Sequence, residues 1–198
     1  MDSIPQNDQR LSILSRLFKE GKITLGEISE IIGIKQSAVQ ELFSKKGLIQ
    51  TRAILIGGGA GFIGSNFIQH ILEKYPHYKI VNYDKLTYAG NLDNLKNVEK
   101  DSRYTFIEGD IADLETVEKI IEDHDIEAII NFAAETHVCR SVMYRVDEFV
   151  RTNVLGVHSL LEATKRNPKK IKLYIQISTD EVYGTLSLED TTKFTEET

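Results

Sequence analysis

The hydrophobic rhythm of the chain changes near residue 50. Before it, apolar residues recur every three or four positions: Leu11, Leu14, Leu17 and Phe18, then Ile28, Ile31 and Ile32, then Val39, Leu42 and Phe43. This spacing predicts three amphipathic helices, over about 8–20, from Thr24 to Ile32, and over about 36–46, each with the named residues inward. Thr24-Leu-Gly-Glu27 has the form of a capping box, in which the threonine hydroxyl takes an orphan N–H and the glutamate reaches back to the cap. Gly33 supplies a turn, and Gly47 a stop.

Beyond Arg52 the pattern alternates between short apolar runs and amphipathic stretches. The runs Ala53–Ile56, Lys79–Asp84, Tyr104–Glu108, Ala128–Phe132 and Leu173–Ser178 read as strands. Between them come a helix to Tyr75 with Ile63, Phe67, Ile71 and Leu72 inward and Pro76 behind it, and a polar loop with a short helix over 86–98. A helix marked by Leu114, Val117, Ile120 and Ile121 follows strand three, and a long helix from Val146 to Asn167, stopped by Pro168, follows strand four. Strand alternating with helix implies a parallel sheet. The expected fold is therefore a three-layer α/β Rossmann-like unit over 51–198, preceded by a small three-helix domain over 1–50.

Charge and composition narrow the function classes. A net charge of −6 over 198 residues argues against a generally nucleic-acid-binding or membrane-surface protein. No apolar run is long enough to cross a membrane, and Met1-Asp-Ser-Ile-Pro5 lacks the regions of a signal peptide. The one cysteine, Cys139, excludes an internal disulfide and fits a reducing compartment, so a cytoplasmic location is expected. The three N-terminal helices resemble a helix-turn-helix, with Lys35, Gln36, Ser37 and Gln40 where a recognition helix meets bases. DNA is thus a conceivable partner through residues 24–46. Yet seven basic residues over 1–50 (Arg10, Arg16, Lys19, Lys22, Lys35, Lys45, Lys46) face six acidic ones (Asp2, Asp8, Glu20, Glu27, Glu30, Glu41). That balance is poor for gripping phosphates; a packing or oligomerisation module is the alternative.

The candidate chemistry starts where strand one breaks into glycines. Gly58, Gly61 and Gly64 stand at G-x-x-G-x-x-G spacing, directly before a helix. In a dinucleotide site the first permits the tight turn, the second lets backbone approach a pyrophosphate, and the third lets helix lie close on strand. The helix start offers N–H groups and a favourable dipole to phosphates. Asp84 ends the next strand twenty residues after Gly64, where a ribose-binding carboxylate belongs.

Four longer strings sharpen this reading: Asp84-Lys-Leu-Thr-Tyr-Ala-Gly-Asn91, Phe132-Ala-Ala-Glu-Thr-His-Val-Cys-Arg-Ser141, Arg151-Thr-Asn-Val-Leu-Gly156 and Ser178-Thr-Asp-Glu-Val-Tyr-Gly184. In this order and spacing, from about Arg52 to Thr198, they resemble the dTDP-glucose 4,6-dehydratase family of the extended short-chain dehydrogenase/reductases. The resemblance implies NAD as cofactor and a dTDP-glucose-like nucleotide sugar as substrate. By the same likeness Phe62 and Ile63 line the pyrophosphate turn, Asp84 binds the adenosine ribose, and Lys85, Leu86 and Thr87 flank it. Asp110 and Ile111 hold the adenine end, while Ala133, Ala134, Glu135 and Thr136, with Thr152, pass beside the nicotinamide ribose. Thr136 and His137 belong to the substrate loop. Thr179 would bind the sugar 4-hydroxyl, Asp180 would be the acid and Glu181 the base. In that chemistry C4 of glucose is oxidised, the C5 proton is removed, the 6-hydroxyl leaves protonated, and hydride returns to C6.

One part of the family pattern is missing. The superfamily places Tyr-x-x-x-Lys on the helix after strand five; here the only tyrosine after Thr179 is Tyr183, and four residues further stands Ser187. The expectation is a chain resembling the N-terminal half of a dehydratase, catalytically incomplete alone. The alternatives are a regulator that senses a dinucleotide, or a half that pairs with a complementary C-terminal half. A homodimer is a further alternative.

Overall fold

The computed structural model describes residues 8–46, 52–75, 77–143, 145–187, 189 and 191–198. The expected stops at Gly47 and Pro76 and the boundary at residue 50 lie outside them, as do the side chains of Ser37 and Gln40. Three helices come first, α1 (Asp8–Lys19), α2 (Leu25–Ile32) and α3 (Gln36–Lys45). The capping box is formed: the Glu27 N–H donates to Thr24 Oγ1 at 3.2 Å and the Thr24 N–H to Glu27 Oε2 at 2.7 Å. Gly33 closes α2 at φ 71°. Leu11, Leu14, Leu25, Ile28, Val39 and Phe43 form the core of this unit, with Phe18, Ile32 and Leu42 against it. Ile31, expected inward, is exposed. Leu25, Ile28 and Ile32 already define the buried stripe of this two-turn helix, and Ile31 falls on its flank.

The second unit is a five-stranded sheet in the order β3-β2-β1-β4-β5, with every pairing parallel. Its strands are β1 (Arg52–Gly57), β2 (Tyr78–Asp84), β3 (Tyr104–Glu108), β4 (Ile126–Asn131) and β5 (Leu173–Gln176). Side chains alternate between faces. Ile54, Ile56, Ile80 and Ile130 meet Ile68, Ile71 and Leu72 of α4 (Phe62–Lys74) on one face. Leu55, Val81, Tyr83 and Ile129 meet Val117, Ile120 and Ile121 of α5 (Leu114–Asp123) and Leu160 and Ala163 of α8 (Val157–Arg166) on the other. The chain thus leaves β1 toward β2 and β3, then crosses back to β4. The strand order reverses between β1 and β4, which opens a crevice beyond their carboxyl ends.

Four expectations need correction. Ile63 is exposed rather than inward, because the start of α4 projects past the sheet; Ile68 takes its place in the core. The short helix over 86–98 shrinks to a 3-10 turn, Leu92–Leu95. The long helix is not uniform: α6 (Val138–Met143) precedes it, and α7 (Val146–Phe149) runs through a π-helical stretch, Val150–Gly156, into α8. Strand β5 is shorter than expected, ending at Gln176, and one of its faces is open. Tyr174 packs toward α8, whereas Leu173 (49% exposed) and Ile175 (37%) lie open on the α4 side. Among the described residues no helix is long and apolar enough to cross a membrane.

Candidate functional site

A cleft of about 370 Å³ opens at the crevice between the carboxyl ends of β1, β2 and β4. Its floor is the glycine turn. Gly58 has φ 73°, and a Cβ there would overlap the Ala133 backbone nitrogen. A Cβ on Gly64 would overlap the Gly58 carbonyl and sit 2.8 Å from Gly59 Cα. Both glycines therefore let backbone lie on backbone. Helix α4 starts beside them with Gly61 as an N-cap that offers no side-chain hydrogen bond. First-turn N–H groups lacking a cap are ready donors to an anion.

Asp84 is buried at the end of β2 and ties this floor together. Its Oδ2 accepts from the Ala60 N–H at 2.9 Å and its Oδ1 from the Leu86 N–H at 2.8 Å. Each carboxylate oxygen keeps a lone pair for a further donor. Leu86, expected to flank the ligand, does not line the cleft. It takes φ 52° and gives its N–H to Asp84, so it shapes the turn instead. Lys85 and Thr87 do line it, as do Gly61, Phe62 and Ile63 opposite.

Asp110 and Ile111, after β3, close the adjoining wall. The Asp110 carboxylate meets Lys85 Nζ at 3.0 Å and Arg151 Nε at 2.8 Å, and also accepts from the Ala112 N–H at 2.9 Å. Burial alone would raise its pKa, but the Ala112 N–H, Arg151 and Lys85 outweigh that and hold it below the usual range. The same contact, chiefly the hydrogen bond to Asp110, raises the Lys85 ammonium. Tyr83 stands behind, its hydroxyl donating to the Asp110 carbonyl at 2.9 Å. Burial first, then Asp113 and Asp110, push the phenol to about 12, so it stays protonated at neutral pH.

The third wall is the loop after β4. Ala133, Ala134, Glu135 and Thr136 line the cleft together with Thr152. Asn153 clamps this loop reciprocally: it accepts from the Glu135 N–H at 2.9 Å and donates to the Glu135 carbonyl at 2.8 Å. Both Thr152 and Asn153 lie in the π-helical stretch, whose wider turn offers a means of redirecting side chains. The Glu135 Oε2 is buried with no hydrogen-bond partner among the described residues.

Thr179 reaches the cleft from beyond β5. Asp180 and Glu181 follow on an exposed 3-10 turn, Asp180–Tyr183, and do not line it. The Thr179 hydroxyl, and next the Glu181 N–H, hold the Glu181 carboxyl below its usual range. His137 is exposed just ahead of α6, also outside the cleft. The glycine, Asp84, Asp110 and Ala133–Thr136 groups thus converge on one site, while the two carboxylates and His137 stand at its margin. Residue-level reading missed Tyr83, Ala89, Gly90, Gly109, Phe132, Ile177 and Ser178 as lining residues. Gly90 and Gly109 carried a signal, since each is a small residue within a few positions of a strand end.

Comparison with known proteins agrees with this geometry. The model of the GDP-mannose 4,6 dehydratase family matches residues 55–198. The chain belongs to that family. Within it, this member is 42% identical over 151 residues to dTDP-glucose 4,6-dehydratase of Xanthomonas campestris pv. campestris, covering 73% of this chain and 42% of the relative. The crystal structure of dTDP-glucose 4,6-dehydratase from Bacillus anthracis in complex with NAD is similar at TM-score 0.64 and 47% identity, over 74% of this chain and 43% of that one. The Streptomyces venezuelae dTDP-glucose 4,6-dehydratase, solved with NAD bound, is similar at TM-score 0.62 and 39% identity, over 68% and 42%. The family member described here therefore spans about two-fifths of the length of the curated relatives it matches.

Proposed function

We propose that residues 52–198 bind NAD in the cleft and form the cofactor half of a nucleotide-sugar 4,6-dehydratase acting on a dTDP-glucose-like substrate. The observation that carries this is the meeting of the uncapped α4 start, the Asp84 carboxylate and the Ala133–Thr136 loop on one cleft at the sheet's reversal point. The residues fit such a ligand. Backbone N–H groups face where a pyrophosphate would lie, and Asp84 retains acceptor capacity for a ribose hydroxyl. The buried, unpartnered Glu135 oxygen offers an acceptor to a donor on the ligand. The NAD-bound relatives support the same assignment.

When bound, NAD would supply an acceptor and later a donor of hydride at the sugar. This chain's own residues would do the proton work. Thr179 would hold the sugar 4-hydroxyl from its place in the cleft. Glu181, kept ionised by Thr179 and its own N–H, would take the C5 proton, and Asp180 would protonate the departing 6-oxygen. A partner fits this reading: the open α4-side face of β5 favours a second copy of the chain or a complementary polypeptide bearing the Tyr-x-x-x-Lys element.

Titration calorimetry with NAD tests the proposal. The wild-type chain should give saturable heat, and Asp84→Asn should weaken binding by roughly tenfold, the loss of one charged hydrogen bond. Asparagine is the milder replacement, because its one amide oxygen keeps either the Ala60 or the Leu86 N–H, whereas alanine would release both. Saturating NAD with no heat and no thermal shift would end the proposal.

A further inference from the structure

Lys85 directly follows the ribose-side carboxylate Asp84, at the mouth of the same cleft. A cation near that carboxylate is what a dinucleotide with a 2′-phosphate requires, whereas the carboxylate alone selects a free 2′-hydroxyl. In this protein the Lys85 ammonium is not free to play that part. It lies 3.0 Å from Asp110 Oδ2 and 3.5 Å from Glu148 Oε2. Asp110 also binds Arg151, and Glu148 also pairs with Arg145, which in turn stands 3.8 Å from Asp147. Among the described residues these three cations and three carboxylates cancel along the rim, which leaves no surplus positive charge in this network to offset Asp84.

We propose that Glu148 sets the cofactor choice of the cleft by holding Lys85 away from the position of a 2′-phosphate. This rests on the reading that the cleft binds a dinucleotide. Glu148 is on α7, outside the cleft lining, so it acts through Lys85 as a positioning residue. Asp110 shares the task but also forms the wall and accepts the Ala112 N–H, so its substitution would disturb the site itself. Of the two carboxylates on Lys85, Glu148 is the one whose charge is removable at the lower structural cost. It is half-buried, and Glu148→Gln preserves its shape. Removing its charge leaves one surplus positive charge at the rim and one carboxylate fewer to hold a flexible lysine. Lysine acts there as a mobile point charge.

The test is parallel calorimetry with NAD and NADP on wild type, Glu148→Gln and the double variant Lys85→Met/Glu148→Gln. Wild type should prefer NAD. In Glu148→Gln the NADP-to-NAD affinity ratio should rise by about tenfold, as expected for one partly screened charge near a phosphate, and the gain should shrink at high salt. The double variant should return the ratio to the wild-type value or below. A cofactor-free readout is the Lys85 ammonium pKa, followed by NMR of isotopically methylated lysines; it should fall in Glu148→Gln. An unchanged ratio in folded Glu148→Gln, or a raised ratio that survives loss of Lys85, overturns the inference while NAD binding stands. A wild-type chain that binds neither dinucleotide removes both this inference and the proposal beneath it.

Discussion

Three glycines at equal spacing turn out to do two different jobs. Gly58 and Gly64 are required by the fold, since any Cβ there would meet main chain. Gly61 is not: its φ is −72°, and a Cβ would find the Gly58 carbonyl at 3.4 Å, an ordinary contact. Gly58→Ala combines a left-handed backbone with a main-chain overlap and should cost roughly 2–5 kcal/mol in urea unfolding. Gly61→Ala should cost under about 1 kcal/mol, yet weaken NAD at least tenfold by crowding the pyrophosphate approach. Equal stability loss in both variants would contradict this division. Sequence spacing assigned each glycine its role; the overlap of a Gly58 Cβ with Ala133, some seventy-five residues away, shows which of those roles the fold enforces.

At the scale of the element, β5 stands apart as an edge strand with an open apolar face. Its apolar positions Leu173, Ile175 and Ile177 resemble those of a central strand, and the alternation of Tyr174 and Gln176 toward α8 follows the period of two. On the α4 side, however, Leu173 borders an open groove of about 410 Å³ with Ala128, Ile130, Phe67 and Tyr75 on its walls, and Ile175 is 37% exposed. An open edge with an apolar face is a template for association. The β5 amides should therefore exchange rapidly with solvent in a dilute monomer and slow as the chain associates. Slow exchange at a concentration where sedimentation shows only monomer would refute that expectation. The π-helical stretch is the other element that pattern could not reveal. Its apolar spacing is that of an ordinary helix, and the widening shows only where Asn153 must reach the Glu135 backbone.

For the whole molecule the consequence concerns turnover. The 198 residues carry Thr179, Asp180 and Glu181 but no Tyr-x-x-x-Lys after β5. Tyr83, the phenol lining the cleft, is held protonated at about 12 and cannot serve as the base for the 4-hydroxyl. A general base contributes roughly a hundredfold to ten-thousandfold, and orientation by a sugar-binding domain contributes more. The purified chain alone should bind NAD without forming keto-sugar from dTDP-glucose. Detectable product would point to a substitute base, with Tyr183 the first candidate for substitution.

The linear order of residues determined the change of period near residue 50, the alternation of five strands with helices, the glycine start of α4 and the place of Asp84. All of these are local signals: hydrophobic periodicity, glycine at a strand end, a carboxylate at the next strand end. Tertiary structure alone decided that Lys85 turns to Asp110 and Glu148, that Leu86 serves the turn rather than the cleft, that Asn153 locks the Glu135 loop, and that one face of β5 stays open. The Asn153 and Lys85 contacts join atoms across 18 to 63 residues of chain, the openness of β5 depends on which layer covers it, and Leu86, only two residues from Asp84, follows the positive φ that the turn imposes. Such contacts leave no period behind them, because they arise from how the layers pack and not from how neighbouring residues alternate.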